Sequence, residues 1–403
     1  MVLNFEDLFL DKFGPEKILL LKDSITNMKG FLVIDNSIYG VPLGGIRVAE
    51  DLTLEEVVKL ARSMTLKACT YKIPIGGAKA GLVLDSKSKE KDIIISNFAE
   101  SIQSFIKEDL FYPEPGLGTN VEDIENIFKI SGHPELMPRK VGILRYDIPL
   151  KKKYIGYGVI HCLDTLFHEI IGYIKELGIK WNDPPNIILE GFGRTGREIG
   201  IQLIKRGYKL NGVSTINGAL FNEDGLDIEE LLKLKEEYGD EFIFHYKDIN
   251  SFNLEREKLF NLSSEYSIDF IIPGARPNTI NKQNFESIKP KAIVPASLSP
   301  YDEEIIEKLE ESDVLVFPDF VSNAGDLLAL SSRQRARSDT EFKENIVNQI
   351  KSKTKEILEE NNQKKMSLYY LAKQKAIDDL KKKRKRRVKY YKRLEETFKE
   401  RKI

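Results

Sequence analysis

Apolar and polar positions along the chain predict alternating strands and helices. Residues 1–25 read as short helices, with Lys17–Lys22 (KILLLK) as a buried turn. The stretch 30–48 (GFLVIDNSIYGVPLGGIRV) reads as strands broken by glycines. Leu54, Val57, Val58, Ala61, Met64 and Thr65 then recur at helical spacing behind a Thr53-x-x-Glu56 capping box. That helix ends before Pro74, Gly76-Gly77 read as a tight loop, GLVLD as a strand and 93–108 as one long helix. Residues 112–120 read as a Pro- and Gly-rich loop, 121–130 as a helix, 141–153 as a crossover between domains and 158–177 as a further helix. From Asn186 onward, short apolar runs (NIILEG, KLNGVST, DFIIPG, KAIVPAS, VLVFPDF) alternate with helical segments. That alternation requires a parallel sheet covered on both faces, hence an α/β fold. Beyond Asn323 the pattern is helical and increasingly charged.

Composition narrows the class. At roughly 150 residues per domain, 403 residues make two or three domains, with cores large enough to need no disulfide or metal staple. A hydrophobic content of 41% beside 31% charged residues excludes wholesale disorder. No apolar run reaches a membrane span, and the acidic start MVLNFEDLFL lacks the basic flank of a signal peptide, so a cytoplasmic protein is expected. Cys69 and Cys162, with four scattered histidines, exclude a zinc ribbon or finger. The net charge of −1 is uneven. Residues 381–393 hold ten Lys or Arg and no acid, which leaves −11 on the other 390 residues.

The segment ILEGFGRTGREIG carries Gly191-Phe192-Gly193-Arg194-Thr195-Gly196 after a strand and at the opening of a helix. In that context the first glycine permits the tight turn, the second lets backbone approach a pyrophosphate and the third lets helix and strand pack closely. A structural glycine turn is the alternative. The next strand ends in Thr215 where an acid would bond a ribose 2′-hydroxyl. Without that carboxylate the site does not repel a 2′-phosphate, so the turn admits NADP as readily as NAD; Arg194 either faces that phosphate or lies on a solvated surface.

TLKACTYKIPIGGAKAG places Lys67 at a helix end and Lys79 beyond a glycine pair. Spacing alone leaves them open as two surface lysines of a lysine-rich chain. Together with four other blocks they carry a resemblance. PLGGIRV (42–48), MTLKACTYKIPIGGAKAG (64–81), GLGTN (116–120), GFGRTG (191–196) and PDFVSNAGD (318–326) resemble, in order, the glutamate/leucine/phenylalanine/valine dehydrogenase family over about residues 25–330. The resemblance implies NAD(P)-linked oxidative deamination of an amino acid to a 2-oxo acid and ammonia, by a homo-oligomer. It implies a substrate and oligomerisation domain over 1–150, a Rossmann-type domain over 151–330, an active site in the cleft between them, and C-terminal helices with the basic tail over 331–403. It implies that Lys67 binds the α-carboxylate and that Lys79 is catalytic, with a pKa lowered by burial and neighbouring cations. Gly44, Gly45 and Arg47 fall in the substrate-side glycine turn, and Asn323 lies near nicotinamide and substrate. Glutamate-specific members have a lysine where this chain has Leu43 and a serine where it has Leu330, so an apolar amino acid is the expected substrate.

The chain also departs from that pattern. Gly116 stands where the family has its proton-transferring aspartate, a group whose loss typically costs about 10²–10⁴ in rate. Glu114, two residues upstream, is the substitute to consider, with Pro115 restricting its adjustment. Ile155 replaces a threonine, Leu298 an asparagine of the nicotinamide site, and Asp326 a glycine, bringing negative charge near the cleft. The competing reading is therefore an inactive paralogue that senses a ligand, serves as a partner subunit or binds nucleic acid. The run 381–393 reads as an amphipathic basic helix. Either its stripe of Val388, Tyr391, Leu394 and Phe398 packs on the acidic body or a neighbouring subunit, or it contacts nucleic acid, with Tyr390 and Tyr391 stacking on bases, or it meets a membrane surface.

Overall fold

The computed structural model describes residue 8 and residues 11–132, 154–174, 181–332, 338–364 and 366–400. The expected crossover at 141–153 lies outside these residues. The chain divides into two compact units, residues 1–152 with 373–403, and residues 153–372.

The first unit is built on a five-stranded sheet of β1 (Lys17–Lys22), β2 (Lys29–Asn36), β3 (Pro42–Ala49), β4 (Gly76–Val83) and β5 (Tyr112–Pro115), in the order β1-β2-β4-β3-β5. β1, β2 and β4 pair antiparallel; β4, β3 and β5 pair parallel. Helix α1 (Leu54–Thr70) starts where the Thr53 hydroxyl accepts the Glu56 N–H at 3.2 Å. Its Leu54, Val57, Val58 and Ala61 pack with Leu8, Val33 and Leu52 in one apolar cluster. Helices α2 (Lys91–Ser101), α3 (Gln103–Lys107) and α4 (Val121–Ile130) follow. The last is fixed by a reciprocal cap between Asn120 and Asp123, with both bonds at 2.8 Å.

The second unit opens with α5 (Ile155–Ile174). Its seven-stranded sheet has the order β12-β11-β10-β6-β7-β8-β9. β6 (Asn186–Leu189), β7 (Lys209–Thr215), β10 (Phe270–Ile272), β11 (Ala292–Ile293) and β12 (Leu315–Val316) are parallel. β8 (Gly218–Phe221) and β9 (Phe252–Leu254) extend the sheet as antiparallel strands. Helix α6 (Arg194–Ile204) links β6 to β7, and α7 (Ile228–Tyr238) follows β8. Later come α8 (Phe242–His245), α9 (Ile306–Glu311), α10 (Asp319–Ser322), α11 (Gly325–Ser332), α12 (Asp339–Lys364) and α13 (Leu368–Glu400). The parallel strands are buried on both faces, which is why their sequence reads as continuous apolar runs.

Several elements differ from expectation. KILLLK is no buried turn. It is edge strand β1, paired along one side only and alternately exposed, with a lysine at each end as edge strands commonly carry. The stretch 93–108 breaks at Ile102, which closes α2 and opens α3 while its side chain is fully buried. Part of the expected 112–120 loop is β5, held by parallel pairing to β3. Both glycine pairs, Gly44-Gly45 and Gly76-Gly77, lie inside strands and not in turns.

Candidate functional site

In the first unit β3 and β4 lie side by side with Leu43 opposite Gly77 and Ile46 opposite Ala80, an offset that puts Lys79 opposite Gly45. A β-carbon on Gly77 would stand 2.8 Å from the Ala61 carbonyl oxygen of α1, so the helix rests directly on the strand. This contact sets Lys67, near the end of α1, and Lys79, in the middle of β4. Both are buried, with 5% and 7% exposure. Gly45 leaves space for the second lysine, since a β-carbon there would stand 3.1 Å from Lys79 Nζ. Leu43 is 1% exposed. Arg47, expected on the substrate side, pairs with Glu56 of α1.

On the other side of β3, Glu114 of β5 is the register partner of Gly45. Register partners on adjacent strands project to the same face. Gly45 is therefore flanked by Lys79 on one side and half-buried Glu114 on the other. Burial and the Glu114 charge both push the Tyr112 hydroxyl pKa up. Gly116 lies just beyond β5. Its N–H donates to Thr119 Oγ1 at 2.7 Å, and that hydroxyl donates to the Ile46 carbonyl at 2.8 Å. A β-carbon on Gly116 would fall 2.8 Å from the Ile46 carbonyl carbon and closer still to its oxygen. The position holds no carboxylate, and the β3 backbone fills the space a side chain would need.

Beneath this site lies a network that periodicity did not reveal. Arg62 of α1 bonds Asp35 at 3.0 Å, Asp11 at 2.7 Å and the Gly14 carbonyl at 3.1 Å, and Thr65 donates to Asp35 at 2.5 Å. Burial pushes the Asp35 carboxyl up against the opposing pull of Arg62. The available signal was a charged residue beside Ala61 on the apolar face of α1.

In the second unit the glycine motif takes three distinct conformational roles. Gly191 has φ +86°, a left-handed turn that glycine enters without strain. Gly193, the N-cap of α6, has nothing within 4 Å of a notional β-carbon, which leaves its backbone open to approach. A β-carbon on Gly196 would stand 3.0 Å from the Gly191 carbonyl carbon, so the helix closes on the strand end there. Arg194 is exposed and Thr195 half-buried in the first turn of α6. Phe192, expected against the cofactor, is a core residue, 1% exposed with its ring 5.3 Å from that of Phe242; only its backbone belongs to the turn.

Thr215 closes β7, and its hydroxyl donates to the Asp240 carbonyl at 3.0 Å and accepts the Asn217 N–H at 3.1 Å. Glu190, which sequence reasoning passed over, ties the start of the glycine turn to the loop after β10. It accepts from Gly274 and Ala275 N–H at 3.1 Å each and from the Thr279 hydroxyl at 2.7 Å. Burial pushes its carboxyl up.

Asn323 is buried, and its amide donates to the Ala296 carbonyl in the PASLS turn. Leu330 of α11 is 5% exposed and Leu298 is half-buried. Asp326, expected to add charge near a cleft, is turned to a structural use: its carboxylate accepts the Tyr154 N–H at 2.5 Å, just before α5. Both cysteines are buried with thiol pKa values pushed up to about 12, so neither is a ready nucleophile. Among the described residues, no helix is long and apolar enough to cross a membrane.

The chain is similar to known proteins. The family model Glutamate/Leucine/Phenylalanine/Valine dehydrogenase matches residues 150–387, and the model of the Glu/Leu/Phe/Val dehydrogenase dimerisation domain matches residues 17–131. The NADP-specific glutamate dehydrogenase of Saccharolobus shibatae is 26% identical over 330 residues, covering 77% of this chain and 73% of that protein. The glutamate dehydrogenase of Thermotoga maritima is 29% identical over 311 residues, covering 73% and 70%. Among solved structures, the hetero-hexameric glutamate dehydrogenase of Thermus thermophilus in its Leu-bound form superposes with a TM-score of 0.74 at 20% identity, covering 92% of this chain and 89% of that one. The L-tryptophan dehydrogenase of Nostoc punctiforme does so with 0.59 at 18% identity, covering 94% and 99%.

Proposed function

Since the chain belongs to the glutamate/leucine/phenylalanine/valine dehydrogenase family, we propose that it is an NAD(P)-linked dehydrogenase of an apolar L-amino acid. The reaction converts amino acid, NAD(P)⁺ and water to 2-oxo acid, ammonium, NAD(P)H and a proton. The observation that carries this reading is the buried lysine pair on α1 and β4, with Gly45 clearing the space beside Lys79 Nζ. An ammonium group in a buried site is a strong, charge-assisted donor to a carboxylate, which supports a substrate carboxylate as the ligand. Lys67 holds that carboxylate, and Lys79 polarises the water that attacks the imino intermediate or that intermediate itself.

The glycine turn fits a dinucleotide. Open backbone at Gly193 and the N-terminus of α6 would receive its pyrophosphate. When bound, the nicotinamide supplies the hydride acceptor. Arg194 is exposed and no acid ends β7, which supports NADP, the cofactor in the name of the Saccharolobus relative. Leu43 and Leu330 present no cation to a side-chain carboxylate, and an unpaired buried carboxylate is costly, which supports an apolar substrate over glutamate. Glu114, across Gly45 from Lys79, takes the proton-transfer role in place of Gly116. The dimerisation-domain match over residues 17–131 and the hetero-hexameric state of the Thermus thermophilus relative support an oligomer of such chains.

The test is NAD and NADP reduction by the purified protein over a panel of amino acids. Leucine-like and aromatic substrates are expected to exceed glutamate, and Glu114→Gln is expected to lower kcat about 10²-fold or more with little change in KM. A second reading rests on the blocked Gly116 position, namely a subunit that binds an amino acid without turning it over and works beside an active partner chain. Substrate binding without turnover would select that reading.

A further inference from the structure

The basic run at the end of the chain is a built surface. Residues 381–393 lie in α13, and this stretch belongs to the first unit. At 100° per residue, Leu380, Arg384 and Arg387 point to one side. That side is docked. Leu380 is 1% exposed, the Arg384 guanidinium lies 5.6 Å from the Phe13 ring centre, and Arg387 donates to the Ser37 carbonyl at 3.2 Å. Lys383 lies 4.8 Å from the Tyr39 ring centre.

Lys382, Arg386, Lys389 and Arg393 fall on the opposite side within about 60° of each other, and all four are exposed. At 1.5 Å rise per residue their Cα atoms span roughly 16 Å. Beside this stripe runs a groove of about 690 Å³, where Lys12 and Phe13 face Lys385, Val388, Lys389 and Lys392.

We propose that this face binds the phosphodiester backbone of a nucleic acid, without regard to sequence. Three observations point there. The cations are held on a helix already anchored to its unit, so little ordering is left to oppose binding. The groove combines cations with Phe13, half-exposed Val388 and, on the flank, Tyr390 at 59% exposure, a mixture suited to phosphates beside sugar and base. The outward stripe carries no apolar residue, whereas a helix that lies in a membrane surface needs an apolar face to insert. The apolar side of α13 is already buried at Leu380. The other 390 residues carry a net charge of −11, which sets this cationic run apart from the average of the chain.

The test measures anisotropy of a labelled 30-base-pair DNA, a 30-nucleotide single-stranded RNA and, separately, sedimentation with phosphatidylserine vesicles, using the full chain. Four phosphate contacts predict a log–log salt slope of about −3.6 on duplex DNA, a loss of roughly 150-fold in affinity between 50 and 200 mM salt. The RNA slope is expected near −2.8, and the two arms decide which nucleic acid is preferred. Replacing Lys382, Arg386, Lys389 and Arg393 together by Gln is expected to reduce affinity at 50 mM salt by about 10²-fold or more, with far-ultraviolet dichroism unchanged. The equal-charge control Lys72→Gln, Lys89→Gln, Lys107→Gln and Lys129→Gln is expected to leave it within about twofold. Equal losses in both variants, or binding to vesicles but to neither nucleic acid, or no binding at all, would overturn the proposal.

Discussion

The two glycine-rich stretches of this molecule make an instructive pair. In the second unit, Gly191, Gly193 and Gly196 perform a left-handed turn, an open backbone and a close helix contact. A dinucleotide bound there, as proposed, would be met by backbone N–H groups and a helix end. In the first unit, glycines clear space for side chains: a β-carbon on Gly45 would stand 3.1 Å from Lys79 Nζ. At Gly116 the space a side chain would need is taken by the Ile46 backbone. One stretch offers backbone to a ligand, and the other makes room for side chains.

The largest test of this contrast is Lys79→Met, expected to lower kcat by about 10²–10⁴ while dinucleotide affinity holds. A variant that lost both equally would place Lys79 in the scaffold. Next comes a matched pair in the second unit. Gly196→Ala must push against the Gly191 carbonyl and is expected to destabilise the protein by about 1–3 kcal/mol, seen as a lower Tm. Gly193→Ala meets no atom and is expected to leave Tm unchanged while weakening NADP binding about tenfold in titration calorimetry. Equal Tm losses would erase the distinction between packing and approach.

Restoring the family's aspartate is expected to fail. Gly116→Asp collides with β3 and should lower Tm by a few degrees, consistent with an overpacking cost of about 1–3 kcal/mol, and should bring no gain in turnover. A gain would mean that β3 yields and that the lost carboxylate alone limits the chemistry.

Legibility followed the same division. The glycine turn and the capping residues are local, so spacing exposed them, whereas Lys67 and Lys79 stood out only through the resemblance. The register that brings Glu114 and Lys79 to either side of Gly45 joins three strands from distant parts of the chain, and no local pattern encodes it. Phe192 looked like a cofactor contact because it sits inside the motif, yet alternation along the turn sends its ring into the core. KILLLK misled for another reason: a short continuous apolar run carries no period that separates an edge strand from a buried turn. Asp326 read as a functional charge because sequence does not reveal that the Tyr154 N–H, far away in the chain, needs an acceptor.

The smallest expected effect concerns the second unit alone. Burial pushes the Glu310 carboxyl up from 4.5 to about 7, against the Ser367 hydroxyl bond at 2.7 Å. Its protonated form favours the folded state, so that contribution is full below about pH 4.5 and is lost as pH rises toward 7. Tm is expected to fall across that window, with a shallower fall in Glu310→Gln; an unchanged slope would remove Glu310 from the account.

The central claim is that hydride leaves the α-carbon of an apolar amino acid for a nicotinamide under the influence of Lys79. The most direct measurement supplies α-deuterated leucine and phenylalanine with NADP or NAD and reads the reduced nicotinamide by mass spectrometry. The account predicts one deuterium in the reduced dinucleotide with the natural chain and none with Lys79→Met. Bound amino acid and bound dinucleotide with no label transferred would contradict it, and would make this chain a binding subunit built on a dehydrogenase fold.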